Sequence, residues 1–424
     1  MKKLFKISLM FLIVSLIFGS QVFAGGFQIN EHGAKAMGMG GAFTAQANDP
    51  SAIFFNPAGL GFQKGMKVML GTTLMFPSTT FSHGVQEPKM ESQIFYPSNF
   101  YGTYALENGL VFGLGYFNAY GLGTKWPENW VGRELAVKTD LKTYFINPTA
   151  AYKINDQLSL GLGFSYVIAS VEMSFRPGIN PGPNVAPTLY GDAVLDASAN
   201  GYNFNFGLLY KFNEDLSFGA SYRHSTKLDF SGDVTFTMGP LQSYFPGGEG
   251  KTEITLPTSI FAGIAYNFSQ DFTVEAGFQY VGWKSYDTLK VNIPVGPVFP
   301  LTGKPLQEPD AKPKDWENAY LIRLGAEYRY NDFAFRAGYV YDKTPQPDKS
   351  VEPMLPDANR NEITLGLGYK LSESLTLDLA YVLIMSVDRD QHEIKSKTFG
   401  YTQLPAGQYK SNAHLFGINI GYQF

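Results

Sequence analysis

The sequence predicts an all-β fold, a transmembrane antiparallel β-barrel of 14 strands with an N-terminal hatch, or plug, inside the lumen. Three observations predict it. Strand-length stretches alternate with a period of two, long and short connections take turns along the chain, and a leading segment lacks the alternation. The predicted organisation is a signal peptide at 1–24, the hatch at 25–64 and the barrel at 65–424.

The strongest signal is alternation, because one phase of each of nine stretches is wholly apolar. In the final stretch, Phe416 and Ile418 belong to the apolar phase, whereas Gly417 and Asn419 belong to the other. Successive side chains of a strand point to opposite faces. A soluble sheet also buries one face, but a wall with lipid outside and water inside requires this on strand after strand. The stretches are 158–166, 216–222, 260–268, 272–280, 322–330, 333–341, 363–369, 375–381 and 416–424.

The connections supply the strand count. Six tight turns alternate with seven long segments that are rich in Pro and Gly, which gives fourteen strands, and bacterial outer-membrane barrels have an even number. The first strand is expected at about 66–76. The turns are at 107–109, 155–156, 213–215, 269–271, 331–332 and 372–374. The long segments are near 78–93, 121–139, 176–195, 237–251, 294–315, 344–360 and 389–411.

The N-terminus indicates export. Three lysines precede the apolar run Ile7 to Phe18, and Val22-Phe23-Ala24 is a small-residue cleavage pattern. The run is too short for a membrane-spanning helix, which needs about 20 residues; an uncleaved anchor is the alternative. The absence of cysteine excludes disulfides and thiol chemistry, and the formal charge of −4 gives no electrostatic case for nucleic acid.

Residues 25–64 interrupt the strand rhythm. They are rich in Gly and Ala, contain Asn56-Pro57-Ala58 and show no alternation. We expect them to fold inside the lumen as the hatch, with the Asn-Pro-Ala sequence fixing a turn against the barrel. A periplasmic tail is the alternative for this segment.

Aromatic and charged residues have expected places on the two faces of the wall. Outward tyrosines at strand ends suit an interfacial girdle, although a soluble sandwich could also bury them. Inner-phase charges are expected to pair with one another and with the hatch in a wet interior. The tyrosines are Tyr266, Tyr280, Tyr328, Tyr341, Tyr381 and Tyr422, and the charges are Glu275, Arg323, Glu327, Arg329, Arg336 and Asp378.

Two other classes of outer-membrane protein are alternatives to a barrel blocked by a hatch. An outer-membrane lipid hydrolase needs a nucleophile, a base and an orienting group, and the sequence offers no Gly-x-Ser-x-Gly beside His224, the only histidine near an inner wall. A general porin would keep an open polar lumen, against which the plug-like residues 25–64 argue. We therefore expect no catalytic residue, no metal and no cofactor.

Several sequences resemble the FadL family of outer-membrane transporters (OmpP1/FadL/TodX). They are the start Gly25-Gly26-Phe27-Gln28-Ile29-Asn30-Glu31, Asn56-Pro57-Ala58, Leu256-Pro257, Trp283 through Lys290, and the blocks from Trp316 to Arg360. The final Phe424 resembles the signal read by the outer-membrane assembly machinery. The resemblance implies a fourteen-stranded barrel with a hatch in the outer membrane of a Gram-negative bacterium. It also implies passive uptake of hydrophobic molecules.

The resemblance further implies capture by extracellular loops, an internal binding site, hatch movement and lateral release through a kink in the third strand. Long-chain fatty acids are the first expectation, and aromatic hydrocarbons are the alternative. The expected partners are these molecules, outer-membrane lipid, lipopolysaccharide and the assembly machinery, and the protein is expected to be a monomer.

Site residues follow from matched positions. Lys290 is expected to pair a ligand carboxylate and Arg176 is a second candidate, with a solvated rim cation as the alternative for each. The lateral gate is expected at Tyr120 and Gly121, although a glycine also simply ends strands. The entry groove is expected at Leu189, Val194 and Leu195 of the third long loop and at Met238, Leu241, Tyr244 and Phe245 of the fourth.

Overall fold

The structure is a computed structural model that describes residues 25–178, 185–300, 303–396 and 401–424. The predicted signal peptide at 1–24 lies outside the described residues. Fourteen antiparallel strands form the wall, and six of them consist of two segments. They are β1 (Met66–Ser82), β2 (Ser98–Ala105), β3 (Leu110–Phe117 and Gly121–Lys125), β4 (Lys138–Lys153), β5 (Leu158–Phe175), β6 (Asp192–Lys211), β7 (Leu216–Arg223 and Thr226–Thr237), β8 (Gly248–Leu256 and Ser259–Asn267), β9 (Phe272–Val281 and Thr288–Asn292), β10 (Asp310–Pro313 and Ala319–Tyr330), β11 (Phe333–Asp342), β12 (Arg360–Lys370), β13 (Leu375–Ser386 and Arg389–Gln391) and β14 (Gly407–Gln423).

The wall closes on itself because β1 pairs with β14 over their full lengths, from Lys67 opposite Gln423 to Ser82 opposite Gln408. Closure removes the free sheet edges, which is required where no water can satisfy the backbone. The predicted barrel of 14 strands is therefore confirmed.

The wall faces lipid with its apolar phase. Large apolar side chains such as Leu70, Leu162 and Leu365 are more than half exposed, although they belong to regular strands. Because such exposure on strand after strand is stable only against hydrocarbon, the outer face is the membrane face.

The long-loop end differs from the sequence expectation. β1 continues to Ser82, and Gly121–Lys125 is a strand segment although it falls within a predicted loop. Strands continue there with a charged outer face, since Lys227 pairs with Asp229 at 3.0 Å and with Glu253 at 2.9 Å. The apolar phase that reveals a strand to sequence reasoning is absent above the lipid.

The N-terminal segment, residues 25–64, lies against the inner face of the wall and is almost wholly buried. It contains the helices α1 (Ala34–Gly38) and α2 (Ala52–Phe55) and a 3-10 helix at Pro57–Phe62. Elsewhere, 3-10 helices lie at Gly239–Tyr244, Trp283–Ser285 and Asp348–Ser350, and short loop ladders join Val298–Phe299 to Lys304–Pro305 and Ile394–Lys395 to Thr402–Leu404. None of the helices in the described ranges has the length and apolarity needed to cross a membrane.

Inner-face glycines let the N-terminal segment approach the wall closely. A Cβ on Gly219 would lie 2.1 Å from the Thr44 carbonyl oxygen, and one on Gly325 would lie 2.4 Å from that of Met39. Along this contact the backbone of the segment fills the space that side chains would need.

The inner-phase charges form the expected ion pairs. Arg336 contacts Glu327 at 2.7 Å and Asp378 at 2.6 Å, and Lys35 of the N-terminal segment lies 3.9 Å from Glu327. Arg329 lies 3.9 Å from the same glutamate.

Two further inner-phase charges hold backbone of the N-terminal segment. Glu275 accepts hydrogen bonds from the backbone N–H groups of Ala45 and Gln46 at 2.8 and 2.9 Å. Arg323 donates to the Gly40 carbonyl oxygen at 2.9 Å. The segment is therefore attached to several strands at once.

Candidate functional site

The wall is broken in β3. The β2–β3 ladder ends at the pair Phe100–Tyr116, and the chain leaves regular pairing until Gly121. The Asn118 side chain spans the gap, accepting from the Ser98 N–H at 3.1 Å and donating to the Thr143 carbonyl at 2.7 Å. Beyond the break, the second segment of β3 pairs with β4 alone among the described barrel strands.

The N-terminal segment supplies backbone partners at this break. Ile29 donates its N–H to the Ala119 carbonyl at 2.9 Å, and Gly121 donates its N–H to the Phe27 carbonyl at 3.0 Å. Gln28 thereby stands opposite Tyr120 in an antiparallel bridge. Three residues of the N-terminal segment therefore complete the interrupted strand from inside.

Gly121 lies close against the N-terminal segment. A Cβ there would lie 2.9 Å from Ile29 Cδ1, so a larger residue would require the end of the Ile29 side chain to shift. Sequence reasoning selected the position for its freedom to kink, whereas the structure shows close approach to the N-terminal segment as the constraint.

Phe27 is held in an aromatic cage. Its ring centroid lies 4.5 Å from that of Trp283, 5.8 Å from those of Tyr286 and Trp316, and 6.3 Å from that of Tyr120. Burying a phenylalanine side chain contributes about 1.5–3 kcal/mol, and edge-to-face contacts add to it. The cage therefore fixes the segment beside the break.

Polar contacts fix the residues before Phe27. Arg360 pairs with Asp357 at 2.8 Å and donates to the Gly26 carbonyl at 3.0 Å, while the Gly26 N–H donates to Asp357 at 3.1 Å. The Gly25 carbonyl accepts from Trp283 Nε1 at 3.0 Å. The chain thus enters the described structure along a fixed path.

Asp342 lies directly beside Gly25. Its carboxyl group is 1% exposed, and neither oxygen has a hydrogen-bond partner of ordinary geometry among the described residues. A Cβ on Gly25 would lie 2.5 Å from Oδ1, so a larger residue there would require this carboxyl group to shift.

An interior cavity of about 210 Å³ lies next to the bridge. The N-terminal segment lines it with Gly26 to Ile29 and Glu31, and the wall and loops line it with apolar residues, several polar residues and the charged pair Asp357 and Arg360. The apolar residues include Met75, Met90, Phe95, Leu122, Leu355, Ile384 and Leu415, and the polar ones are Thr79, Thr124, Ser386, Ser411 and Asn412.

A second cavity of about 800 Å³ lies on the lipid side of the same break. Tyr96, Ile94 and Tyr116, all exposed, line it together with Lys125, Lys138 and Lys142 toward the long loops. Both cavities share Ile29, Met75, Phe95 and the run Gly121 to Gly123. Since a Cβ on Gly123 would lie 2.0 Å from the Phe95 ring, side chains rather than a continuous strand ladder separate the inside from the lipid.

Asn56 ties the N-terminal segment to β6. Its Nδ2 donates to the carbonyls of Thr44 at 2.8 Å and Leu208 at 3.0 Å, and its Oδ1 accepts from the Ala58 N–H at 3.2 Å. Pro57 follows at the first position of the 3-10 helix, where a missing N–H costs nothing. The predicted role of this sequence in fixing a turn against the barrel agrees with these contacts.

His32 occupies an aromatic site in the N-terminal segment. Its ring centroid lies 3.8 Å from that of Phe54 and 5.6 Å from that of Phe117. Burial, aided by the nearby Arg223 guanidinium, lowers the pKa of His32 to about 3. The imidazole is therefore neutral near pH 7.

The structure does not bring the predicted ligand cations to the interior cavity. Lys290 is exposed on β9, and its neighbour Leu289 is the residue that points into the core, because alternate side chains take opposite faces. Arg176 follows β5 and pairs with Asp192 at 3.0 Å at the long-loop rim. Neither residue lines that cavity, and their roles in ligand binding remain predictions.

The predicted groove residues are only partly together. Tyr244 packs on Phe299 at 5.1 Å and Phe245 on Phe236 at 5.3 Å, and Leu241 is half-buried nearby. Leu189 is exposed, whereas Leu195 and Met238 are buried and Val194 is half-buried. These residues line neither of the two cavities.

Sequence reasoning missed the bridge residues Phe27 and Ile29, the separating Phe95, and the buried Arg223. Arg223 could have been found, because it extends the alternating stretch 216–222 by one residue on the inner phase. The bridge could not, because its partners lie far apart in the sequence and neither shows strand alternation.

A family model described as outer membrane protein transport protein (OMPP1/FadL/TodX) matches residues 15–424. A long-chain fatty acid transport protein of Escherichia coli O6:H1 is 25% identical over 477 residues, which cover 100% of this chain and 99% of that protein. Outer membrane protein P1 of Haemophilus influenzae is 25% identical over 356 residues, covering 77% of this chain and 74% of that one.

Solved structures show the same fold. A Pseudomonas aeruginosa FadL homologue superimposes with a TM-score of 0.83 at 19% identity and covers 94% of this chain and 100% of its own. The Pseudomonas putida toluene transporter TodX gives 0.71 at 19% identity and covers 95% and 99%. Together with the lipid-facing wall, these matches place the protein in the outer membrane of a Gram-negative bacterium. The chain belongs to the OMPP1/FadL/TodX family of outer membrane transport proteins.

Proposed function

We propose that the protein is a passive channel for hydrophobic molecules across the outer membrane, with release sideways into the bilayer. The observation that carries this proposal is the broken β3 wall. An interior cavity and a lipid-side cavity share their lining there, and a bridge from the N-terminal segment closes the gap. The relatives named above as transporters of long-chain fatty acids and toluene support a hydrophobic cargo.

Lateral release follows from the energetics of apolar solutes. Each methylene kept out of water contributes about 0.8 kcal/mol, so a long chain leaves more favourably into lipid than into the periplasm. The lipid-side cavity offers apolar Ile94 and Tyr116 to such a molecule. The N-terminal segment acts in this proposal as the hatch, which blocks the direct path through the lumen.

Opening requires the bridge to separate. Two backbone hydrogen bonds, the Phe27 cage and the polar contacts of Gly25 and Gly26 hold it, while the remaining hatch is fixed by Asn56, Glu275 and Arg323. Displacement of residues 25–31 alone would join the two cavities. The proposed sequence is capture at the loops, occupation of the interior cavity, movement of the leading residues and lateral exit.

Two classes of cargo remain in the proposal. Long-chain fatty acids are the first, on the name of the full-length relative. Aromatic hydrocarbons are the second, and the interior cavity of about 210 Å³ favours them because sites for drug-sized ligands usually exceed about 300 Å³. A catalytic function has no support from the family, whose described members are transporters.

A reversible crosslink across the bridge tests the gate. Gln28 and Tyr120 form a pair flanked by the two hydrogen bonds, an arrangement with Cα atoms about 4.5 Å apart that suits a disulfide. The chain has no cysteine, so the variant Gln28→Cys/Tyr120→Cys forms a single defined bond. In cells that lack another such transporter, we expect uptake of a radiolabelled long-chain fatty acid to stop on oxidation and to return on reduction.

The single variants Gln28→Cys and Tyr120→Cys control for the loss of either side chain, and they should not respond to oxidant. Uptake that continues through the crosslinked protein would exclude exit at this gate. Uptake of toluene by the same cells decides between the two cargo classes.

A further inference from the structure

A segment of the first long loop runs alongside the broken wall. Residues 89–97, here called the strap, follow β1 toward the long loops in the register of the β1–β2 ladder, since Thr72 stands opposite Ser98 and Met75 opposite Phe95. Two backbone hydrogen bonds of 2.8 and 3.0 Å join Met75 to Phe95. The strap therefore continues the edge of β2 past the point at which its pairing with β3 ends.

The strap and the second segment of β3 do not pair as neighbouring strands. Their single backbone hydrogen bond within the described residues runs from the Glu91 N–H to the Lys125 carbonyl at 2.8 Å. The next paired residues toward the short turns are Phe100 and Tyr116. A slit in the backbone pairing of the wall therefore lies between these two points.

The two edges of the slit overlap. Phe95 stands opposite Met75, which lines the interior cavity, so the Phe95 side chain takes the inner face of the strap. Gly123 stands opposite Asp140, which pairs with the exposed Lys142 on the outer face of β4. A Cβ on Gly123 would lie 2.0 Å from the Phe95 ring. Because the inner face of the strap meets the outer face of β3, the strap covers β3 on the lipid side.

The neighbours of Phe95 have the opposite orientation. Ile94 and Tyr96 are exposed and line only the lipid-side cavity, whereas Phe95 lines both cavities. Successive side chains of an extended backbone point to opposite faces. Phe95 is thus the ring of the strap that turns toward the interior.

The Phe95 ring stays at the opening when the hatch leaves. Displacement of residues 25–31 removes Ile29 from the lining that the two cavities share, whereas backbone hydrogen bonds to Met75 of β1 hold Phe95 in place. The opening that joins the cavities then has an aromatic ring of the wall on one rim and Gly123, which lacks a side chain, on the other.

We propose that Phe95 is the specificity-determining residue of the lateral exit, because its ring sets the width of the molecules that pass from the interior cavity into the bilayer. A straight alkyl chain or a single aromatic ring passes beside Phe95, whereas a fused ring system overlaps it. Steric exclusion of this kind discriminates against a wrong ligand without a new attractive contact. The inference rests on the proposed function and narrows its cargo by shape.

The test compares uptake of hexadecanoic acid with uptake of a fatty acid of similar length that ends in a pyrene group, in cells that lack another such transporter. Phe95→Ala removes the ring, and we expect it to raise uptake of the pyrene acid relative to hexadecanoic acid about tenfold. Phe95→Trp enlarges the ring and should lower uptake of hexadecanoic acid severalfold. If the intact protein takes up toluene and no fatty acid, toluene and pyrene replace the two acids.

Phe100→Ala is the matched control. It removes the same ring from β2, where Phe100 is 38% exposed and lines neither cavity. It should leave the ratio of the two uptake rates unchanged. Opposite effects of a smaller and a larger side chain at position 95 separate a steric role from a purely structural one, which would lower uptake in both variants.

An unchanged ratio in Phe95→Ala, or an equal change for both probes, would overturn the inference. If the intact protein takes up none of the probes, the proposed function itself fails, which is a different result. Should Phe95→Ala not assemble, Phe95→Leu decides, because leucine keeps the site apolar and is smaller than phenylalanine. It should raise the ratio in the same direction by a smaller factor, and an unchanged ratio counts against the role of Phe95.

Discussion

The two sides of the barrel hold the hatch in different ways. On the β11–β12 side the ladder is unbroken from Phe333–Tyr369 to Asp342–Arg360, and the hatch lies against it by close backbone contact, since a Cβ on Gly38 would lie 2.7 Å from the Gly366 Cα. On the β3 side the ladder is interrupted. The hatch there contributes two backbone hydrogen bonds and the ring of Phe27.

The energies of the two attachments differ. A hydrogen bond to a charged group contributes about 1.5–3 kcal/mol, and beside that ladder Arg323 of β10 and Glu275 of β9 make such bonds to the backbone of Gly40, Ala45 and Gln46. A backbone hydrogen bond contributes about 1 kcal/mol net. The N-terminal segment is therefore held by charged wall residues on one side and by uncharged backbone groups at β3, which is where the proposed gate opens.

The largest expected effect follows from removing the hatch altogether. Deletion of residues 25–64 should convert a barrel that conducts little into one with a large steady ion current, because the buried segment fills the lumen. Single-channel recording in planar bilayers measures this. A large steady current through the intact protein would instead indicate a general porin.

Breaking the buried ion-pair network of the wall should have the next largest effect. Arg336→Met leaves the Asp378 carboxylate without its cation and leaves Glu327 only Lys35 and Arg329, each 3.9 Å away, so we expect the free energy of unfolding to fall by about 3–5 kcal/mol. Denaturant titration of the detergent-solubilised barrel measures it. Lys153→Met is the matched control, because its partner Asp156 is solvated and the expected loss is much smaller. Equal losses in the two variants would contradict a stabilising role for the buried network.

The smallest expected effect is a dependence of channel opening on pH. Because burial holds the pKa of His32 near 3, below the ordinary value of 6.5, the released hatch binds a proton more readily than the seated one. The neutral His32 therefore stabilises the seated hatch fully above pH 6.5, and this stabilisation is lost as the pH falls toward 3. Brief conducting events should therefore be more frequent at pH 5 than at pH 7.5, and His32→Leu should abolish that difference. If the His32→Leu variant kept the same pH dependence, another titratable group would be responsible for it.

The sequence predicted the lipid-facing part of the fold because lipid imposes alternation there. It did not predict the extension above the membrane, where Lys227 and Glu253 occupy the outer face, because charge replaces the apolar phase while strand pairing continues. The position proposed for the gate, Gly121, came from the family resemblance rather than from a physical pattern. Its bridge to Ile29 joins two segments without alternation, and no local signal reveals such a contact.

The candidate cations show the same limit. Lys290 was chosen by a motif, but its strand register turns it to the outer face and turns Leu289 inward. Arg223 lies one residue beyond a stretch whose phase was already known. Phase assignment is therefore a better guide to the interior of such a wall than local motif similarity.

The inner-face glycines have a consequence for engineering. The inner face of the barrel accepts only one path of the N-terminal backbone at three glycines, because a methyl group at any of them would overlap that backbone. These are Gly161, Gly219 and Gly325. In a chimera, the N-terminal segment of another family member would fit only if its backbone followed the same path past these glycines. Exchange of N-terminal segments between barrels should therefore require that the matching inner-face glycines be transferred as well.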